Sequence, residues 1–354
     1  MGRRTTTLLK AGLSALHFSG ASGLVSPLTR GVGVVFMMHR VSPEPVQAFE
    51  PNRILRVTPQ FLEDVVRHVI ERGFEVISMG ELPARLSSDV RARPFACFTF
   101  DDGYRDNAEY AFPILRRYRV PHTLYVPTDY PDGRGDLWWL VLEAAIRQAD
   151  RIAVLLHNGP HVLSCRTVAE KERAFHTLYW HLRGLPEERA REIVAGIARD
   201  SGFDSSTLCA DLIMNWDELR VAAKDPLLTI GAHTCRHLAL SRISYSEARG
   251  EMAQSRRRIE AELGRPCQHF SYPYGCDKAA GAREFALAQE LGFETAVTTR
   301  KGLVHASHAA SLNAIPRLSL NGDFQDLRYV DAMLSGVPFS MWNTLRRAAG
   351  AEVG

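Results

Sequence analysis

Short apolar runs alternate with amphipathic stretches in the first third of the chain. Residues 32–38 (Val-Gly-Val-Val-Phe-Met-Met) form a continuous apolar run, which is typical of a strand buried on both faces. Apolar residues then recur at helical spacing between an N-cap at Thr58, followed by Pro59, and a terminating Gly73. This alternation predicts parallel strands joined by helices, and therefore an α/β fold.

The same pattern predicts the remaining elements of the α/β region. Further strands are predicted at 74–78, 95–100, 122–126, 227–230, 269–272 and 295–298. Helices are predicted at 107–118, 216–223, 247–263 and 283–291. Since helices and strands follow one another on both sides of a central interruption, we expect one parallel α/β domain.

The alternation is interrupted between residues 130 and 213. Helices are predicted there at 136–149, 168–183 and 186–200, with a hairpin around Asn158-Gly159. We interpret 130–213 as a largely helical insertion in an α/β domain that spans 31–330, with an N-terminal helical segment at 1–30 and a tail at 331–354. Because the insertion follows strand 122–126 directly, we expect it to form a lid or wall over a site at the carboxyl ends of the strands.

Composition narrows the class of protein. The 354 residues are 45% hydrophobic and 23% charged, which excludes a disordered or fibrous chain. The net charge of +3 is too small to indicate nucleic acid or a polybasic membrane anchor as a partner. No apolar run reaches about 18 residues, so we expect no membrane span. The sequence does not indicate an oligomeric state.

The cysteines and the first residues bear on localisation. The six cysteines form no Cys-x-x-Cys pair, which argues against a disulfide framework or a thiolate zinc site and favours free thiols. Arg3 and Arg4 precede an apolar stretch at 8–16, as in a signal peptide, but Lys10 and His17 interrupt the apolar pattern. An amphipathic helix and a cytoplasmic location are therefore expected, with a signal peptide and a secreted or periplasmic location as the alternative.

Polar residues follow two predicted strands where each ends. Asp101 and Asp102 come directly after strand 95–100, and His233 and His237 follow strand 227–230. Adjacent carboxylates at a buried strand end are costly unless a cation or partner uses them, although an N-cap with a turn is the alternative. Two histidines and one carboxylate would form a metal site with an open position, which leaves the second carboxylate free to act as a base.

These motifs resemble the polysaccharide deacetylase family (NodB-homology, carbohydrate esterase family 4). The resemblance is carried by Thr-Phe-Asp-Asp-Gly at 99–103 and His-Thr-x-x-His at 233–237, and it covers about 31–125 and 214–320. It implies a distorted (β/α) barrel of about seven strands, a divalent metal that is usually zinc, and hydrolysis of an N-acetyl group on an amino sugar.

The resemblance also implies roles for individual residues. Asp101 would be the general base, and Asp102, His233 and His237 would hold the metal. The backbone N–H of Tyr274, in the Ser-Tyr-Pro-Tyr-Gly loop at 271–275, would help to hold the oxyanion.

The sequence departs from the common family pattern at two positions. Many members have an arginine where this chain has Ser271, and a Leu-x-His motif for the general acid is not evident near the C-terminus. The chain resembles a branch with Tyr-Pro-Tyr-Gly and an early histidine, so His39 is the candidate acid, with a structural histidine as the alternative. His305 and His308 remain alternative acids, and Arg317 is a candidate replacement for the missing arginine.

Several residues are candidates for substrate binding. They are Tyr272, Pro273, Tyr274, Arg317 and Trp138. Aromatic faces suit sugar rings, but Trp138 and its neighbour Trp139 could equally pack the insertion against the barrel.

The leading hypothesis is therefore a metal-dependent N-deacetylase that acts on an N-acetylated glycan or oligosaccharide. A related amidase or deformylase acting on a lipid-linked or small substrate is the second hypothesis. A catalytically silent glycan-binding protein is the third, although the intact Asp and His motifs count against it.

Overall fold

The computed structural model of the protein describes residues 3–19, 26, 28–88 and 93–348. Its strands are β1 (Gly33–Met38), β2 (Arg40–Val41), β3 (Arg56–Val57), β4 (Glu75–Val76), β5 (Phe95–Phe100), β6 (His122–Val126), β7 (Arg151–Leu156), β8 (Gly159–Ser164), β9 (Leu228–Ala232), β10 (His269–Ser271), β11 (Thr295–Lys301) and β12 (Ile315–Ser319).

Helices connect most of these strands. They are α1 (Arg3–Phe18), α2 (Pro59–Glu71), α3 (Leu82–Ser87), α4 (Phe112–Arg117), α5 (Trp138–Gln148), α6 (Val168–Leu182), α7 (Glu187–Asp200), α8 (Leu208–Leu212), α9 (Trp216–Ala222), α10 (Tyr245–Leu263), α11 (Ala282–Glu290), α12 (Leu327–Leu334) and α13 (Val337–Ala348). A π-helical turn, Asn107–Ala111, leads into α4.

Seven parallel strands close into a barrel in the order β1-β12-β11-β10-β9-β6-β5, and β5 pairs back to β1. This confirms the predicted distorted (β/α) barrel. The two-residue β4 pairs only with the start of β5, on the edge that β6 occupies further along. Alternate residues face opposite layers: Val35 and Cys97 face the barrel interior, whereas Phe36 and Phe98 pack under the helices.

Strand β12 is the barrel strand that the sequence pattern did not predict. Its second residue is Pro316, and proline in a run argues against a central strand because it has no N–H to donate. The structure accommodates Pro316 where the β11–β12 register shifts, between the pairs Val297–Ile315 and Lys301–Arg317. The strand therefore delivers Arg317 to the barrel in spite of the proline.

The insertion has its own hydrophobic core. Helices α5, α6 and α7 pack together, and the antiparallel hairpin β7–β8 packs against α6. Leu142, Leu178 and Val194 are among its buried side chains, with at most 1% exposure. This core is separate from the cluster that joins the barrel strands to their surrounding helices.

Helices α1 and α12 pack against each other outside the barrel. The predicted boundary between barrel and tail at 330/331 falls inside α12, because its apolar residues Val330 and Leu334 are buried on both sides of that boundary. The predicted segments 1–30 and 331–354 lie partly outside the described residues. Within the described part of the chain, no helix is both long and apolar enough to cross a bilayer, and all six cysteines are free.

Candidate active site

Asp101 and Asp102 follow β5 at the carboxyl end of the barrel, and each is 2% exposed. The backbone N–H of Asp101 donates to the carbonyl of Met38 at 2.9 Å, which extends the β1–β5 pairing by one residue. Asp102 then adopts a positive φ of 74°, a conformation that costs energy for a residue with a side chain. This turn breaks the strand alternation between the two carboxylates.

Asp101 forms a bidentate ion pair with Arg317. Nη1 and Nη2 of Arg317 donate to the two carboxylate oxygens at 2.8 and 2.7 Å. Burial by itself would raise the pKa of Asp101, but the charge of Arg317, its hydrogen bonds and the nearby imidazoles lower that pKa to about 2. Asp101 is therefore an ionised carboxylate with a fixed orientation.

Arg317 is completely enclosed, with 1% exposure. Besides Asp101, its guanidinium donates to the Thr298 carbonyl at 2.8 Å, to Thr99 Oγ1 at 3.1 Å and to Ser271 Oγ at 3.0 Å. The structure thus brings Arg317 to the position beside Asp101 that the sequence analysis considered. Its donors face protein groups, so we do not place it among substrate-binding residues.

Asp102, His233 and His237 form the one group of three potential metal ligands among the described residues. One ligand atom from each lies within 4.8 Å of the others. Asp102 Oδ1 is 3.6 Å from His233 Nε2 and 3.4 Å from His237 Nε2. His233 Nδ1 is 2.6 Å from the Ser271 carbonyl, and a proton on Nδ1 would leave the Nε2 lone pair directed at the site.

The electrostatics of this group match a cation-binding site. Asp102 Oδ1 and His237 Nδ1 are buried without a hydrogen-bond partner. Burial first, and then the charge of Asp101, raises the pKa of Asp102, while burial and the neighbouring His233 lower the pKa of His237. A buried carboxylate next to two neutral imidazoles is the donor set that Zn²⁺ and similar divalent ions bind.

The loop that carries the two histidines is held by residues that the sequence analysis did not identify. Thr234 Oγ1 accepts a hydrogen bond from the His237 N–H at 2.9 Å. Glu251 on α10 accepts from the backbone N–H groups of Cys235 and Arg236, each at 2.9 Å. Glu251 is only 6% exposed, and its place among the apolar residues on the inner face of α10 is the sequence signal that could have revealed it.

His39 follows β1 and reaches the same end of the barrel. Its carbonyl accepts a hydrogen bond from Asn107 Nδ2 at 3.0 Å. Burial lowers the pKa of His39 to about 4; Asp101 acts in the opposite direction, and Arg317 and His233 lower it further. Since Met38 pairs with Phe100 and its carbonyl accepts from the Asp101 N–H, the structure brings His39 to the same end of the barrel as Asp101.

The sequence model of the polysaccharide deacetylase family matches residues 89–296, more than half of the chain. The chain belongs to the polysaccharide deacetylase family. A relative, YxkH of Bacillus subtilis (strain 168), is assigned to the polysaccharide deacetylases and is 29% identical over 73 residues. That match covers 20% of this chain and only 26% of the relative.

Solved structures share the fold of this family member. The deacetylase PplD of Streptococcus pyogenes, in complex with acetate, aligns with a TM-score of 0.55 and 16% identity over 85% of this chain and 97% of PplD. IcaB from Ammonifex degensii aligns with a TM-score of 0.52 and 14% identity over 86% of this chain and 97% of IcaB. At this level of identity the similarity concerns the fold.

In this family member, residues of the insertion lie over the metal-ligand group. The ring centroids of Trp139 and Tyr274 lie 5.3 and 4.9 Å from that of His237. Trp138 Nε1 donates to the Tyr274 hydroxyl at 2.9 Å, and the Arg183 guanidinium stacks on the Tyr274 ring at 3.6 Å. The insertion therefore packs at the carboxyl end of the barrel, on the side of the site.

The two tryptophans are mainly packing residues in this structure. Trp138 is 3% exposed and its ring lies 5.3 Å from that of Tyr179 in the insertion core, while Trp139 is 5% exposed. Of the two roles considered for Trp138, the geometry therefore favours a contact between insertion and barrel. Its hydrogen bond to Tyr274 makes it a support for the wall of the site.

Tyr272, expected in the substrate groove, lies instead on the outer side of the barrel. It is fully buried, its hydroxyl donates to the Asn313 carbonyl at 2.9 Å, and its ring packs between Phe270 and Phe285. The reason is strand alternation: Ser271 faces the site, so its neighbour faces the helical layer. Pro273 is also buried, and Tyr274 is the residue of this loop that contacts the site.

The alternative acids His305 and His308 lie at the opposite end of the barrel. Val304 pairs with Gly33 at the first residue of β1, which places this loop at the amino ends of the strands. There His308 Nδ1 accepts from the His305 backbone N–H at 2.9 Å. The structure does not bring either histidine to the metal-ligand group.

Proposed function

We propose that this protein is a metal-dependent N-deacetylase that acts on an N-acetylated amino-sugar glycan or oligosaccharide. The observation that carries the proposal is one buried cluster. Asp102, His233 and His237 form the metal-ligand group, and the ionised Asp101 lies next to it without being one of the ligands. Hydrolysis of an amide at neutral pH needs both an electrophile and a base, and the cluster supplies a position for each.

Asp102, His233 and His237 would hold the divalent ion, for which we propose zinc. When bound, the ion supplies Lewis-acid polarisation of the amide carbonyl and acidifies a water molecule. The three protein ligands leave a coordination position for water or substrate, as in catalytic rather than structural zinc sites.

Asp101 acts as the general base in this proposal. Arg317 occupies one lone pair on each carboxylate oxygen, and a second lone pair on each oxygen remains to accept a proton from the attacking water. Arg317 also keeps Asp101 ionised, so the base is present in its active form at neutral pH. Its low pKa makes Asp101 a weak base, so we expect it to contribute to catalysis mainly by its correct position.

Tyr274 and His39 complete the proposed mechanism. The Tyr274 N–H finds no acceptor among the described residues, and φ there is +59°, so this N–H is available to the oxyanion. We assign His39 as the acid that delivers a proton to the leaving amine, which places the chain in the branch with Tyr-Pro-Tyr-Gly and an early catalytic histidine. Burial lowers the pKa of His39 to about 4, and the charge of Asp101 offsets part of this effect.

An acetylated glycan is the substrate class that the family supports, and PplD is described in complex with acetate. The deciding experiment measures acetate and formate release from N-acetylglucosamine oligomers and polymers, with and without chelator and with zinc restored. Acetate release that chelator abolishes supports the proposal. Formate release instead would identify a deformylase, and binding without release would identify a silent glycan-binding protein.

Variants assign the individual roles. Asp101→Asn is expected to abolish turnover and keep its metal, whereas Asp217→Asn, at a 90% exposed side chain, is the matched control with unchanged turnover. His233→Ala is expected to lose the metal itself. His39→Ala is expected to lower kcat at normal metal content, and an unchanged kcat would contradict its assignment as the acid.

A further inference from the structure

Helix α1 turns an apolar stripe toward solvent. The stripe consists of Leu8, Ala11, Ala15 and Phe18, which recur at the spacing of one helix face. Leu8 is 73% exposed and Phe18 is 70% exposed. We call these four residues the α1 stripe.

Three polar residues of α1 face the protein, whereas Thr5 and Thr7 are exposed. Thr6 is 9% exposed, Lys10 Nζ lies 5.8 Å from the Phe324 ring centroid, and His17 Nδ1 lies 3.7 Å from Asp331 Oδ2 on α12. A helix that docks on a globular domain normally buries its apolar face and exposes its polar face. In α1 the apolar Leu13 and Leu16 are half-buried, but Leu8 and Phe18 stay exposed, so the α1 stripe remains available to contact another apolar phase.

Helices α1 and α13 contain basic residues and no acidic residue, whereas α12 between them contributes Asp331 beside His17. Helix α1 contains Arg3, Arg4 and Lys10, and the first acidic residue of the chain is Glu44. Helix α13 contributes two more arginines and no acidic residue. These two helices hold five cations in a chain of net charge +3, so the rest of the chain has a net charge of −2.

Helix α13 adds exposed apolar side chains and, like α1, packs against α12. Met341 and Trp342 on α13 are 55% and 57% exposed. Leucine, phenylalanine and tryptophan beside arginine and lysine are the composition of helices that lie in the interface of a bilayer.

We propose that the α1 stripe docks this protein on the surface of an anionic phospholipid bilayer. The apolar side chains enter the acyl boundary, and the arginines of α1 and α13 pair with anionic headgroups. A second copy of the chain is a poorer occupant, because it would bring the same cations to the interface. This docking does not depend on the proposed catalytic function.

The experiment is co-sedimentation of the full chain with vesicles of phosphatidylcholine that contain phosphatidylglycerol, and with vesicles of phosphatidylcholine alone. The test variant is Leu8→Glu/Phe18→Glu. The control variant is Leu155→Glu/Val162→Glu, which changes two residues of the β7–β8 hairpin that are 65% and 69% exposed. Both variants remove two exposed apolar side chains and add two negative charges.

We expect the wild type to bind the anionic vesicles, with binding weakened by salt, and to bind the neutral vesicles poorly. The α1 variant should lose about tenfold or more in partitioning, and the hairpin variant should bind as the wild type does. Circular dichroism checks that both variants are folded, since all four positions are at the surface.

Three results would overturn the proposal. These are absence of binding by the folded wild type, equal binding by the α1 variant, and loss of binding in the hairpin variant alone. Light scattering in solution adds a fourth: a wild-type dimer that the α1 variant dissociates would identify a second copy as the occupant. Acetate release is measured separately, so failure of the docking proposal leaves the catalytic proposal standing.

Discussion

The carboxyl end of the barrel and the insertion above it are built in different ways. At the barrel end, four non-glycine residues have positive φ, namely Asp102, Thr234, His237 and Tyr274. Among the described residues only Arg119 shares this conformation. The insertion has regular helices around an apolar core, and none of its non-glycine residues between 130 and 213 has a positive φ.

The difference shows which region of this protein contains the destabilising features. Residues in left-handed backbone and buried unpaired polar atoms each cost energy, and they persist only where the surrounding structure holds them. Left-handed backbone is concentrated at the barrel end, around Asp102 and His237, whereas the insertion shares only the buried unpaired polar atoms, at Tyr130, Trp139 and Arg191. We therefore expect polar substitutions to matter most at the barrel end and apolar truncations to matter most in the insertion.

The largest effect is expected from Arg317→Met. It leaves the buried carboxylate of Asp101 without its partner, and we expect the free energy of unfolding to fall by about 4 kcal/mol. Urea denaturation measures this loss. The control is Arg300→Met, whose partly exposed pair with Asp277 should contribute less than about 1 kcal/mol. Equal losses would contradict the distinction between the barrel end and a surface pair.

The next effect concerns the insertion. Leu178 is fully buried in its core, so Leu178→Ala should lower the free energy of unfolding by about 3 kcal/mol. Zinc affinity should stay near the wild-type value, because the ligands are on the barrel. Leu155→Ala, at an exposed position, should change stability by no more than about 0.5 kcal/mol. A large drop in zinc affinity in Leu178→Ala would show that the two regions are not separable.

Glu251→Gln tests how the histidine loop is supported. The carboxylate accepts hydrogen bonds from two backbone N–H groups and from the Arg236 side chain. The single carbonyl oxygen of the glutamine amide can accept only some of them. We expect stability to fall by about 2 kcal/mol and zinc affinity to fall by about tenfold. Glu247→Gln is the control, since Glu247 pairs with Arg236 at a 40% exposed position. Unchanged zinc affinity in Glu251→Gln would remove this residue from the support of the site.

The smallest effect is expected at the link between the two regions. Tyr274→Phe removes the hydroxyl that accepts from Trp138 Nε1, and Tyr272→Phe removes a hydroxyl that donates to Asn313. Each should lower stability by about 1 kcal/mol. Steady-state kinetics should separate the two variants, because we expect a raised KM for Tyr274→Phe alone. The same KM in both variants would show that Tyr274 does not contact the substrate.

Much of the barrel could be predicted because its signals are local. A fully buried parallel strand reads as an apolar run, and polar residues directly after it lie at the carboxyl end. This rule located Asp101 and Asp102 after β5 and His233 and His237 after β9 from spacing alone. The predicted helices α2 and α10 follow from their caps, Thr58 and Gly264.

Other features could not be read from local patterns. Pro316 concealed β12, and the pairing of Arg317 with Asp101, which joins residues 216 positions apart, was suggested by the family resemblance rather than by a local pattern. The orientation of Tyr272 depends on a strand register that one residue reverses. The position of Glu251 on the apolar face of α10 indicates that it is buried, but its partners are backbone N–H groups, which the sequence does not identify.

The sequence by itself determined the identities of the candidate site residues: two carboxylates and two histidines placed after two strands, and a histidine after a third. Only the tertiary structure decided that they meet. Closing the barrel puts β1 between β5 and β12, and this brings His39, Asp101 and Arg317 to one end. The reason is physical: barrel closure depends on strand pairing between segments far apart in the chain, and local periodicity predicts strands but not their neighbours.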